Sequence, residues 1–358
     1  MPRRLLLASA IIAAFVAPSV VVAASPSSAT LERSTATMAR GARDLTVKVS
    51  SSGVGTCRIV ANVRGPGLPK RLDPCPSSAD VSLRLPINHG LQARRVHLSL
   101  VAEGATLART TVLQRSPYRV LLYGDSIAWQ FAPVFKRQLV RTGAVLVHTA
   151  VFPGTSLCDG LALAASDAAA FRPDVVVAQY VGSPFTACSQ APSYGTFGQP
   201  GWYAQLTRDA TSMARTFKAA GASALLLDAG PVHQDSSVAR DATLAAYARA
   251  SRATGGFAKR IKPYLAVEDP GDRYTTYLPC LAKELANGRC IGPLRHQVAS
   301  IRVRSPAPDS FHLCPVTFGD RLQAGCATYS SGVARYAGAI TAPIIEGWGL
   351  TPVPAYLP

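Results

Sequence analysis

Asparagine is almost missing from this chain, with Asn62, Asn88 and Asn287 the only examples in 358 residues. Lysine is scarce as well, supplying 7 of the 37 basic residues. Charged residues make up 16% of the chain against 48% hydrophobic, a balance that excludes a disordered chain, a coiled coil or a charged solenoid. Beyond the N-terminal region no run approaches the ~18 uninterrupted apolar residues of a membrane-spanning helix. Walker, HExxH and GxGxxG patterns are absent, so nothing points to a bound cofactor. No cysteine pair has the close spacing of a zinc knuckle and the histidines do not cluster near the cysteines, so no metal is expected. The basic residues are dispersed without aromatic interleaving, which argues against nucleic acid as a partner.

What is present bounds the rest. At roughly 100 to 200 residues per domain the length predicts two domains. The net charge of +17 has two readings. One is an anionic partner; the other is a G+C-rich genome, since 30 of the basic residues are Arg and Ala, Gly and Pro are abundant. Arg3 and Arg4, the apolar run from Leu5 to Ala17 and the small residues Val22, Ala23 and Ala24 read as an export signal over residues 1–24. The rival, an uncleaved anchor over Leu5 to Ala24, is disfavoured by Pro18 and Ser19, which interrupt that stretch. The first cysteine is Cys57, so none stands near the cleavage point to be lipidated. Loss of Arg3 and Arg4 leaves a charge of +15 on the exported chain. Eight cysteines in an oxidising compartment favour bridges, and the shortest-loop pairing is Cys57–Cys75, Cys158–Cys188, Cys280–Cys290 and Cys314–Cys326.

Residues 25–43 are polar and without periodicity, so they read as a linker. Over 44–115 five segments alternate with period two between Gly/Pro/Ser turns, which predicts a small β-sandwich with a spacing or binding role. From residue 116 to 350 continuous apolar runs (119–123, 144–148, 174–180, 224–229) alternate with helical stretches. That order predicts a three-layer α/β/α domain built on a parallel sheet, with its active site at the carboxyl ends of the strands.

Two motifs fall at those ends. Gly124-Asp125-Ser126-Ile127 joins the first strand to a helix, which places a hydroxyl beside the helix amides. Pro308-Asp309-Ser310-Phe311-His312 offers a carboxylate and an imidazole three apart, the base and orienting acid that a nucleophilic serine needs.

With these residues the chain resembles the SGNH (GDSL-type) hydrolase superfamily, in the manner of exported actinobacterial members, over roughly residues 117–347. The resemblance implies Ser126 as nucleophile, His312 as general base and Asp309 as its orienting carboxylate. It also implies an oxyanion hole from the amides of Ser126 and Gly154. The family's third donor, an Asn after the third strand, has no counterpart: the chain reads Gln179-Tyr-Val-Gly-Ser-Pro-Phe there, leaving Ser183 as the candidate. Asp125, His233 and Trp202 are expected at the substrate rim. Phe185, Tyr194, Phe197, Trp202 and Tyr203 form either a stacking surface or lid, or an inward-folded loop pinned by Cys188.

The expected activity is hydrolysis of short acyl esters, O-acetyl groups included, on a cell-envelope polysaccharide or lipid, by a secreted monomer. Two alternatives stand beside it: transfer of the acyl group to an envelope glycan, and a catalytically weak surface protein held to anionic envelope polymers.

Overall fold

The computed structural model describes residues 28–351 apart from 53, 65–67, 232, 234–237, 272, 289, 291–292, 294–297, 306–308, 310 and 315–329. The export signal expected at residues 1–24 lies outside the described residues. Among those described, no helix is long and apolar enough to cross a membrane.

The first domain is a sandwich of two sheets. Strands β1 (Ser28–Arg33), β3 (Asp44–Ser52) and β6 (Ser78–Arg84) form one, in the order β1-β3-β6. The other contains β2 (Thr37–Met38), β4 (Cys57–Ala61), β5 (Lys70–Leu72), β7 (Arg94–Ala102) and β8 (Ala105–Gln114), in the order β2-β8-β7-β4-β5. Alternation decides which side is buried: Val47 and Val49 of β3, Ile59 of β4 and Val96, Leu98 and Leu100 of β7 are fully buried between the sheets, and their neighbours face out. The stretch read as a linker is corrected here, because β1 pairs antiparallel with β3 from Ser28 to Arg33 and β2 pairs with β8. As an edge strand β1 buries only Leu31 deeply, so its sequence carries almost no alternation to read.

The second domain is the α/β/α layer structure. Five parallel strands, β9 (Tyr118–Gly124), β10 (Val145–Val151), β11 (Val175–Gln179), β12 (Ala224–Asp228) and β13 (Ala258–Arg260), run in the order β10-β9-β11-β12-β13. Helices α1 (Ser126–Val140), α2 (Leu157–Phe171), α3 (Pro200–Ala219) and α4 (Val238–Ala253) connect them, and the domain continues through α5 (Ala282–Ala286), the antiparallel pair β14 (Tyr277–Pro279) and β15 (Ser300–Arg302), and α6 (Ser330–Gly347). Strands β11 and β12 are buried at every position, which is why they read as unbroken apolar runs. The edge strand β13 is Ala-Lys-Arg with both cations exposed, and such a strand has no apolar signature. Disulfides join Cys57 to Cys75, Cys158 to Cys188 and Cys280 to Cys290. Cys314 is disulfide-bonded, and Cys326 lies outside the described residues.

The strand order reverses at β9, so the crevice between its neighbours opens at the carboxyl ends, the usual ligand position in such sheets. The β-sandwich docks at the opposite end. Arg40 makes a two-point ion pair with Asp174, just before β11, and its guanidinium lies 4.2 Å from the centre of the Tyr118 ring at the start of β9. Tyr118 in turn stacks on Trp348 at 4.1 Å. Arg119 donates to the carbonyls of His89 and Gly90. Gly41 sits so close to Ala144 that a Cβ there would come within 2.2 Å of the Ala144 Cα. The β-sandwich is therefore one strand length, roughly 20 Å, from the strand ends where Ser126 begins α1.

Candidate active site

Ser126 is the first residue of α1, directly after β9. Asp125 caps the helix: one side-chain oxygen accepts from the Ile127 amide at 2.9 Å, and the other from the Val181 amide at 2.9 Å. One carboxylate thus fixes both the start of α1 and the loop leaving β11. Asp125 is buried beneath the site, not placed on its rim as a substrate contact. Burial pushes its carboxyl up to about 6, against the lowering effect of the two amides.

The turn carrying Asp309 and His312 comes back over α1. His312 Nδ1 is 2.7 Å from Asp309 Oδ1, and Nε2 is 2.8 Å from Ser126 Oγ. With Nδ1–H donating to the carboxylate, Nε2 is left as the acceptor for the serine hydroxyl. Sequence reasoning missed what holds this turn. Gln130, buried on α1, accepts from the amides of Leu313 (2.9 Å) and Cys314 (3.3 Å) and donates to the Cys314 carbonyl (2.9 Å). Arg304 donates to the Phe311 carbonyl at 2.9 Å, and Ser305 N to the His312 carbonyl at 3.0 Å. A signal for Gln130 existed: it stands four residues after Ser126, on the same helix face, as an amide among apolar neighbours.

Gly154 adopts φ +80°, a left-handed conformation that favours glycine. Its amide and that of Ser126 have no hydrogen-bond partner among the described residues, and both residues line the cleft. Ser183 does not complete the set. Its hydroxyl donates to the Gly154 carbonyl at 3.3 Å and accepts from Phe185 N at 3.4 Å, so its single proton braces the Gly154 loop.

The cleft holds about 560 Å³ and is lined by Val181, Gly182, Pro184, Phe185, Phe197, Ala229, Pro231, His233, Ala239, Arg240 and Phe311 around Ser126 and His312. His233 is exposed at its edge, 6.1 Å from the Phe311 ring. Arg240 is held by Glu268 at 2.7 Å and by Asp241. Trp202 is corrected: at 1% exposure it lies in the core, packed by Tyr194, Phe197 and Tyr203. Of the five aromatics in this stretch, Tyr194, Trp202 and Tyr203 fold inward, whereas Phe197 and Phe185, the latter 80% exposed, face the mouth.

No family model and no curated protein matches the chain. Among solved structures it is similar to a lipase/acylhydrolase from Enterococcus faecalis, at 15% identity over 66% of this chain and 98% of that one, with a TM-score of 0.39. It is also similar to the acetyl xylan esterase AlAXEase, at 14% identity over 63% and 100% of the two chains, TM-score 0.37. A GDSL-like lipase from Bacteroides thetaiotaomicron aligns at 12% identity over 64% and 88%, TM-score 0.37. These are likenesses of fold.

Two buried carboxylates sit close under the site. Asp228, at the end of β12, accepts from Gly230 N at 3.0 Å and from the Tyr336 hydroxyl. Desolvation raises its carboxyl to about 7, and Asp125 adds to the rise. Both acids are structural pins at strand ends, and neither contacts the Ser126 hydroxyl.

Proposed function

We propose that the chain is an exported serine esterase, with Ser126 as nucleophile, His312 as general base and Asp309 as the group that fixes the imidazole tautomer. The observation that carries this reading is the continuous hydrogen-bonded line from Asp309 through His312 to Ser126 Oγ at 2.7 and 2.8 Å, within ordinary reach for a base and its nucleophile. His312 Nε2 takes the hydroxyl proton as Oγ attacks the ester carbonyl, then returns it to the departing alkoxide. The tetrahedral oxyanion lies against the unpartnered amides of Ser126 and Gly154, at the positive end of α1. Water then repeats the sequence and releases the acid. With Ser183 occupied elsewhere, the hole has two backbone donors and no side-chain donor. A missing donor costs about 2.7 to 4 kcal/mol, which makes this a slower enzyme than one with a full set.

The cleft volume is in the range of small-molecule sites. It suits a short acyl group, such as an acetyl ester, together with a sugar-sized alcohol from an envelope glycan. The disulfides fit an oxidising compartment. The test is turnover of p-nitrophenyl acetate together with labelling by a fluorophosphonate. Wild type is expected to do both and Ser126→Ala neither; equal turnover by the two proteins would sink the proposal.

A further inference from the structure

The two sheets of the β-sandwich treat charge differently. In the three-stranded sheet, cations sit directly across from anions: Glu32 opposite Lys48, Lys48 opposite Asp80, and Asp44 opposite Arg84. In the five-stranded sheet no strand contains an acidic residue. Its outward face carries Arg58, Arg71, Arg95 and Arg109, all exposed. Arg58 lies directly opposite Arg71, an arrangement of like charges that weakens a sheet. Arg71 has a surface ion pair with Asp73, of the kind that contributes little. Arg58, Arg95 and Arg109 have no ion pair among the described residues.

Charge is also concentrated in this domain. Residues 28–115 hold 13 basic against 5 acidic residues, a balance of +8, whereas the longer remainder from 116 to 358 holds 22 against 15, a balance of +7. Residues 28–115 contain no Phe, Trp or Tyr at all. Without rings the domain cannot stack sugars or anchor in a bilayer interface, and its only large apolar side chain that is exposed among the described residues is Leu91, next to the loop that Arg119 holds. What remains is guanidinium chemistry, which matches phosphate oxygens.

We propose that the outward face of the five-stranded sheet is a docking surface for a linear phosphodiester polymer, holding the protein to an anionic surface by the pole opposite the Ser126 cleft. Register puts Arg58 and Arg71 on neighbouring strands about 5 Å apart, Arg109 about 12 Å from Arg58 and Arg95 about 20 Å from it, separations that phosphates one to several repeats apart on a flexible chain can meet. Because the sandwich docks on the amino ends of the parallel strands, a polymer on this face leaves the cleft clear. The inference is independent of the esterase reading, since it requires nothing of Ser126.

The test measures binding of the full chain to immobilised poly(glycerol phosphate) as salt is varied. With four cations engaged, affinity falls about 50-fold between 50 and 200 mM salt, and Arg58→Gln/Arg95→Gln/Arg109→Gln reduces this to about 3-fold and weakens binding at low salt. Turnover of p-nitrophenyl acetate stays at the wild-type value, and the melting temperature does not fall, since Arg58→Gln relieves the repulsion with Arg71. Lys48→Gln/Arg84→Gln, on the charge-matched sheet, binds like wild type. Salt-independent binding, equal loss in the two variants, or preference for phosphatidylglycerol vesicles over the polymer would each overturn the proposal.

Discussion

Replacing Gln130 by Leu tests the idea that α1 positions the base as well as the nucleophile. The substitution conserves size and burial but removes three hydrogen bonds to the turn after His312. Two amides and a carbonyl then lose their partner at Leu313 and Cys314, both fully buried. Each orphaned buried group costs about 1–3 kcal/mol. Holding the turn in place against all three would approach or exceed what single substitutions normally cost, so the turn moves until some groups reach water. Part of the loss then appears as stability, about 2–4 kcal/mol, or a fall of roughly 5–15 °C in melting temperature for a domain of this size. The other part appears in catalysis, because displacing His312 Nε2 from Ser126 Oγ by about 1 Å costs about 100-fold. The assay is kcat and KM for a short p-nitrophenyl ester at a temperature where the variant remains folded by circular dichroism. A fall in kcat with little change in KM is expected. Wild-type kcat together with a wild-type melting curve would refute the positioning argument.

Other perturbations follow from the same geometry. Asp228→Asn keeps an acceptor for Gly230 N and removes a buried charge. The native carboxyl titrates at about 7 against an ordinary 3.8, so the folded state binds the proton more tightly and wild-type stability declines as pH rises from about 4 through 7. The variant flattens that decline and is more stable at pH 8, by an amount on the order of 4 kcal/mol, as chemical denaturation across pH measures; a parallel pair of curves would reject this. Gly182→Ala puts a Cβ at φ +85°, 3.1 Å from the Trp202 ring and 3.3 Å from Thr243 Oγ1. Its cost is about 1–3 kcal/mol, seen as a lower melting temperature and a raised KM. Removing the bridge by Cys158→Ser/Cys188→Ser frees a 30-residue separation. The expected loss is about 3.5 kcal/mol in denaturant titration, and an unchanged midpoint would show that the loop after β11 is held by other contacts.

The amino-acid sequence by itself determined the two-domain plan and the chemical identity of the groups proposed to react. Strands buried on both faces must be apolar throughout, so β9, β11 and β12 announced themselves. A serine at a strand-to-helix junction and a carboxylate three residues before a histidine are local patterns, readable without knowing where they meet. The edge strands β1 and β13 were not readable, because a strand with one solvated edge needs no apolar signature.

Only the tertiary structure decided what acts at a distance. Asp125, which read as a rim residue, is a buried pin between α1 and the loop after β11, because both of its oxygens find amides 2.9 Å away. Ser183 spends its proton on Gly154, Trp202 folds into the core, and Gln130 reaches across 183 positions of sequence to hold the turn that bears His312. The positive charge visible in the composition gained a location the same way. Cross-strand register cancels it on one sheet and leaves it unopposed on the other, and register is a property of paired strands that no single segment contains.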